Sequence, residues 1–129
     1  MSAVTRLVES SFTEQRSRFY ALLFPLSDET GLEAVLKARR KEHRKAVHHC
    51  WAVRLRGDAG QLVEKSKDDG EVGHPGRVLL ELLKKHDLEG GIVVSRIFGG
   101  VKLGVGGVAR AFREAGTLVI AEYLHPKKA

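Results

Sequence analysis

Between Ile92 and Phe112 the sequence changes character twice. Ile92-Val93-Val94-Ser95-Arg96-Ile97 is a short apolar, β-branched run of the kind that forms a buried strand. Five glycines then fall within the nine residues from Gly99 to Gly107. Beyond them Val108, Phe112, Ala115 and Val119 recur at the spacing of one helical face. The stretch reads as strand, glycine loop and helix. Glycine loses more backbone freedom on folding than any other residue. Five of them between two firm elements point to left-handed backbone or to a backbone that something approaches closely.

Arg96, Lys102 and Arg110 flank this loop and no acidic residue interrupts it. Amides at a helix start with cations beside them suit an anion such as phosphate. The candidate binding residues are therefore Arg96, Gly99, Gly100, Lys102, Gly104, Gly106, Gly107 and Arg110. A tight turn with solvated cations explains the same composition without a ligand. Two nucleotide loops are excluded. After Gly104 come Val105 and Gly106, so the lysine and hydroxyl of a P-loop are missing. Gly104-Val105-Gly106-Gly107 also breaks the Gly-x-Gly-x-x-Gly spacing of a dinucleotide fold.

Taken in order, Val4, Leu7 and Val8 can begin an edge strand, with Phe12 packing beneath it. Phe19 to Phe24 is a strand closed by Pro25. Ser27-Asp28 offers an N-cap for a helix through about His43, with Leu32, Val35, Leu36 and Arg39 on one face. Ala46 to Arg56 is a second strong strand, and Gln61 to Lys67 returns as its hairpin partner after Gly57-Asp58-Ala59-Gly60. A polar loop with Asp68, Asp69 and Glu71 leads to a helix from Pro75 to about His86. The order β, β, α, β, β, α, β, α argues for an α+β domain, one mixed sheet with helices packed on one face.

Composition sets the outer limits. The 129 residues make one domain of ordinary size. No apolar run approaches the ~20 residues of a membrane span, so no membrane partner is expected. A single cysteine, Cys50, forbids an internal disulfide and fits a reducing cytoplasm. The net charge of +6 favours acidic partners, nucleic acid above all. Much of the excess sits in the run from Lys37 to Lys45 and in Lys127-Lys128, where it also serves as a solvated face and complements a helix C-terminus.

Two clusters could carry chemistry. His48, His49 and Cys50, with His43 upstream, are zinc-type ligands. Neighbours on a strand point to opposite faces, so at most His48 and Cys50 converge, and two ligands make no metal site. Neither a metal nor a cofactor is expected. Asp69 and Glu71, with His48 or His74 as proton carrier, could serve as acid and base. The same acids could instead cap the following helix or pair with Arg96 or Lys102. Arg96 ends a buried strand and its charge needs a partner, so Asp68-Asp69-Gly70-Glu71 is expected to pack beside it, with Asp69 as the paired carboxylate, and to hold the glycine loop in one conformation.

These stretches together resemble the IMPACT/YigZ family in its N-terminal domain. Arg16-Ser17-Arg18-Phe19 is similar to the family's entry strand, and Ala46-Val47-His48-His49-Cys50-Trp51-Ala52 to its Ala-x-His-x-Cys-x-Ala strand. Asp68-Asp69-Gly70-Glu71 matches its acidic loop, and Arg96-Ile97-Phe98-Gly99-Gly100-Val101-Lys102-Leu103-Gly104 its glycine loop. Gly107-Val108-Ala109-Arg110-Ala111-Phe112 matches its helix start. Val72 replaces the family's proline, His74-Pro75-Gly76 its Thr-Ala-Gly, and Ile97 its tyrosine. The resemblance implies a fold like the second domain of ribosomal protein S-five. It also implies a single N-terminal-type domain over 1–129, without the smaller ferredoxin-like domain that bacterial members usually carry. The function it implies is a non-enzymatic binding or regulatory module linked to translation, recognising RNA, the ribosome or a translation-associated protein. The alternative is an enzyme whose site joins the acidic loop to the glycine loop.

Overall fold

The computed structural model describes residues 1–127; of the C-terminal lysine pair, Lys128 lies outside them. In chain order the elements are β1 (Ser2–Ala3), β2 (Val8–Glu14), β3 (Ser17–Phe24), α1 (Thr30–Glu42), β4 (His48–Arg56), β5 (Leu62–Lys67), α2 (Pro75–Lys85), β6 (Leu88–Ile97) and α3 (Gly104–Leu124). The strands form one sheet in the order β2-β3-β6-β4-β5. Neighbours along it are antiparallel, and β1 adds a short parallel pairing to the start of β6. The expected α+β class and mixed sheet are what the chain adopts.

The central position of β6 follows from its composition. Ile92 and Val94 join one buried cluster with Phe19, Leu79, Leu83, Phe112 and Ile120. Val93 joins a second cluster with Leu22, Phe24 and Leu36. A strand apolar on both faces has to be covered on both, because exposed apolar surface costs about 25 cal/mol per Å². Helices α2 and α3 therefore share one face, as expected, whereas α1 lies on the other through Leu32, Val35 and Leu36. On α3 the apolar stripe Val108, Ala111, Phe112, Ala115, Val119 and Ile120 is buried, and Phe112 meets Phe19 edge-on at 5.2 Å.

Two local outcomes differ from the sequence reading. Gly106 and Gly107 lie inside the first turn of α3 rather than before it, while Gly104 opens that turn in the left-handed conformation, at φ +74°. Glycine disfavours a helix by only about 1 kcal/mol relative to alanine, and the long buried stripe behind the turn outweighs that. In α1 the first turn is fixed by Asp28, whose Oδ1 accepts the N–H of Thr30 at 2.9 Å, and Glu29 rather than Asp28 holds the N-cap position.

The register of the sheet sets up the site. Arg96 is paired across β6 with Phe19 on one side and with His48 on the other. This row sits where β6 runs into the glycine loop and where β4 begins.

Candidate functional site

The acidic loop between β5 and α2 is pinned to the start of β4 by its own polar groups. Asp69 Oδ2 accepts the N–H of His49 at 2.8 Å, and the Asp69 carbonyl is 2.7 Å from His48 Nδ1. A carbonyl can only accept, so Nδ1 carries the proton and Nε2 of a neutral His48 is the acceptor. Asp68 Oδ1 accepts the N–H of Gly76 at 2.8 Å in the first turn of α2, and the Cys50 thiol donates to the Asp68 carbonyl at 3.1 Å. Asp69, Gly70, Gly73 and His74 all take positive φ, which bends the loop back over the sheet. Aspartate tolerates that conformation better than most residues because its side chain can bond locally.

This curvature brings Glu71 onto Arg96. Arg96 Nη1 donates to Glu71 Oε2 at 3.2 Å, with the two side chains 9% and 4% exposed. The other Glu71 oxygen accepts the N–H of Val72 at 3.0 Å. The guanidinium lies 5.8 Å from the Phe19 ring centroid and 5.6 Å from that of Phe98, both cation–π distances. Arg96 Nε is buried without a hydrogen-bond partner.

Beside the ion pair opens a cavity of about 350 Å³. Val47, Val72, Phe98, Leu103 and Val108 give it apolar walls, and His48, Glu71, Arg96, Lys102 and Gly104 supply its polar edge. The first turn of α3, which Gly104 opens, has no side-chain cap and no acidic residue. Its N–H groups carry the partial positive charge of a helix start.

His48, Glu71, Arg96, Lys102 and Gly104 thus converge from among the sequence candidates. The others do different work. Asp69 secures β4. Gly99 donates its N–H to Ser17 Oγ at 3.2 Å, tying the glycine loop to the start of β3. Gly100 takes φ +91°. Gly106 and Gly107 clear space under Arg110, whose guanidinium lies back along the turn. Arg110 borders a separate depression with Glu14, Gln15 and Glu114. His74 is exposed, 3.6 Å from the Asp68 carboxylate. Among the described residues no three His, Cys, Asp or Glu side chains group as metal ligands.

Sequence reasoning passed over the apolar walls. Val47, Val72 and Phe98 are 77%, 50% and 55% exposed, and their signal was present as large apolar residues in loops, where polar ones are the norm. In chemical terms the carboxylates of Asp68, Asp69 and Glu71 are hydrogen-bonded within the loop's surroundings, so the arrangement is an apolar cleft with cationic groups at one side.

The chain is an α+β domain whose central strand runs through a glycine loop into a long helix, with an acidic loop clamped on the last arginine of that strand and a cleft beside it. The chain belongs to the IMPACT family: residues 15–120 match the Impact N-terminal domain. It is 37% identical over 106 residues to the IMPACT family member YvyE of Bacillus subtilis, covering 81% of this chain and 48% of that protein. The fold is similar to a crystal structure of a hypothetical protein, with TM-score 0.83 and 28% identity over 93% of this chain and 59% of the other. It is also similar to the two-domain translational regulator Yih1, with TM-score 0.60 and 25% identity over 91% of this chain and 46% of the other. The chain spans about half the length of the curated relatives it matches. No helix among the described residues is long and apolar enough to cross a membrane.

Proposed function

We propose that this domain is a non-enzymatic binding module in the regulation of translation, acting in the cytoplasm on RNA, the ribosome or a translation-associated protein. The contact surface is the end of the sheet where β6 enters α3. The observation that carries the reading is the state of the acidic loop. Glu71 is held by Arg96 and by a backbone amide, and Asp69 by the amide of His49. Carboxylates committed in this way stabilise a shape, and the groups left facing outward are cations and apolar side chains. In this reading Arg96 organises the cleft, Gly99 and Gly100 shape its loop, and Lys102, Arg110 and the first turn at Gly104, Gly106 and Gly107 contact the partner. The similarity to a translational regulator supplies the context.

The catalytic alternative, with Asp69, Glu71 and His48 as acid and base, has one support: the fixed tautomer of His48 at the cavity edge. Sedimentation of ribosomes with the purified chain at low and at moderate salt tests the first reading. We expect co-sedimentation that weakens with salt, as phosphate contacts require, and that Lys102→Glu with Arg110→Glu abolishes. Absence of the chain from ribosomal fractions at every salt concentration would remove the ribosome from this reading, and absence of salt-dependent binding to structured and single-stranded RNA as well would leave only a translation-associated protein.

A further inference from the structure

The cleft beside β6 is apolar on its walls and cationic at its mouth, and this pairing selects a kind of ligand. Val47, Val72 and Phe98 line it while remaining largely exposed, and Val101 and Val105, on the same loop and helix turn, are 37% and 62% exposed. Large apolar side chains concentrated at one exposed spot mark a binding surface. The polar groups are one-sided. Glu71 is neutralised by Arg96, so the wall offers no unbalanced negative charge. Lys102 lines the cavity, the first turn of α3 is uncapped and free of acids, and Arg96 keeps one buried nitrogen without a partner. Arg44 and Lys45 lie just ahead of Val47, and the whole chain carries a net charge of +6.

We propose that the cleft receives one apolar side chain of a peptide whose adjoining carboxylates lie against Lys102 and the first turn of α3. The partner is then an acidic protein segment with a single apolar anchor. This inference rests on reading the domain as a binding module and specifies its partner. A nucleobase fits less well, because it would find one aromatic wall, Phe98, while most of its ring-edge donors and acceptors would lose water against Val47, Val72, Leu103 and Val108. The carboxylate is that of an Asp or Glu side chain beside the anchor, to which the helix-start amides donate; a peptide's own C-terminus is the competing source that the test separates.

Backbone NMR spectra of the complete chain, titrated with four probes, test the proposal. The probes are acetylated and amidated Asp-Glu-Leu-Asp-Glu, the same peptide with lysines for its acids, acetyl-Gly-Gly-Leu with a free carboxylate, and a short oligouridine. The acidic peptide should move the amides of Val47, Val72, Gly104 and Val105 saturably, with affinity around 1 mM or tighter. The basic peptide should bind about tenfold more weakly. Phe98→Ala and Lys102→Glu should each weaken binding about tenfold while their free spectra stay dispersed. Saturation by the free-carboxylate tripeptide alone would overturn the acidic segment as the occupant in favour of a peptide C-terminus. Equal shifts from the basic peptide, no saturable shift from any peptide, or shifts from oligouridine alone would overturn the proposal. Peptide binding without ribosome association would leave this inference standing and narrow the proposed function to a protein partner. Ribosome association without peptide binding would overturn this inference and leave the binding-module reading intact.

Discussion

Arg96 and Glu71 form an ion pair at 3.2 Å in which both side chains are more than nine-tenths buried. Burying two charges costs several kcal/mol each, and only close pairing offsets it. Removing one partner leaves the other charge stranded. Arg96→Ala and Glu71→Ala should therefore each destabilise the fold by about 3–5 kcal/mol. The double variant should lose clearly less than the two single losses combined. Urea melts of the three variants measure this, and strictly additive losses would mean that the pair does not hold the acidic loop.

The glycines of the loop divide into two kinds. A Cβ on Gly99 would lie on the backbone carbonyl of Arg16 in the β2–β3 turn, so backbone rather than a side chain would have to give way. Gly99→Ala should cost about 1–3 kcal/mol, the usual range for overpacking. A Cβ on Gly106 would meet nothing nearer than Arg110 Nη1 at 3.6 Å. Since Gly106 already lies in α3, Gly106→Ala should stabilise the protein by roughly 0.5–1 kcal/mol. Thermal melts should therefore shift in opposite directions for the two variants. Equal shifts would contradict the loop geometry.

Much of this architecture was legible because period and punctuation agreed. The β-branched run before Gly99 and the stripe from Val108 to Val119 gave β6 and α3, and the glycine turn after Arg56 gave the β4–β5 hairpin. The placement of α1 was legible in principle. Leu22, Phe24, Trp51 and Val93 stand opposite the other core residues of their strands, and a sheet apolar on both faces needs cover on both. The pairing of the acidic loop with Arg96 was legible, because Arg96 ends a buried strand and needs a carboxylate, but Asp69 was the expected partner and it is Glu71 that reaches the arginine. Which carboxylate reaches Arg96 depends on positive φ at Asp69 and Gly70, which spacing does not encode. The cleft itself was not legible, because Val47, Val72 and Phe98 meet across three separate loops and become neighbours only when the sheet has formed.

Cys50 is fully buried, and burial pushes its thiol far above the ordinary range, with Glu71, Asp69 and Asp68 adding to the effect. Its Sγ–H is also committed to the Asp68 carbonyl. The thiolate is the reactive form, so the folded protein should resist iodoacetamide at neutral pH while the urea-unfolded chain reacts at the rate of a free thiol. Labelling followed by mass spectrometry as urea is raised should track loss of structure by circular dichroism. Rapid modification of the native protein would show that the acidic loop opens independently.

Stability should also depend on pH through the histidines on the α1 side of the sheet. His49 is buried, with Nδ1 2.7 Å from Ser95 Oγ. Burial lowers its pKa; Asp69 opposes the shift, while Arg40, His43 and Arg39 reinforce it. His43 stacks on Tyr20 and is lowered by burial and by Arg39, against Glu42 and Glu9. For both, the unfolded chain takes up a proton near pH 6.5 and the folded chain does so only at lower pH. Across that interval the unfolded state binds more protons, so stability is present above about pH 6.5 and falls as pH drops toward the lowered folded values. The exposed Asp28 and Asp87, whose pKa values are lowered by hydrogen bonds to Thr30 and Arg54 respectively, act in a separate window below about pH 4. Urea midpoints should thus decline between about pH 7.5 and pH 5, and His49→Gln with His43→Gln should flatten the decline even though the variant starts less stable. A midpoint that rises on acidification, or a slope unchanged in the double variant, would place the titrating groups elsewhere.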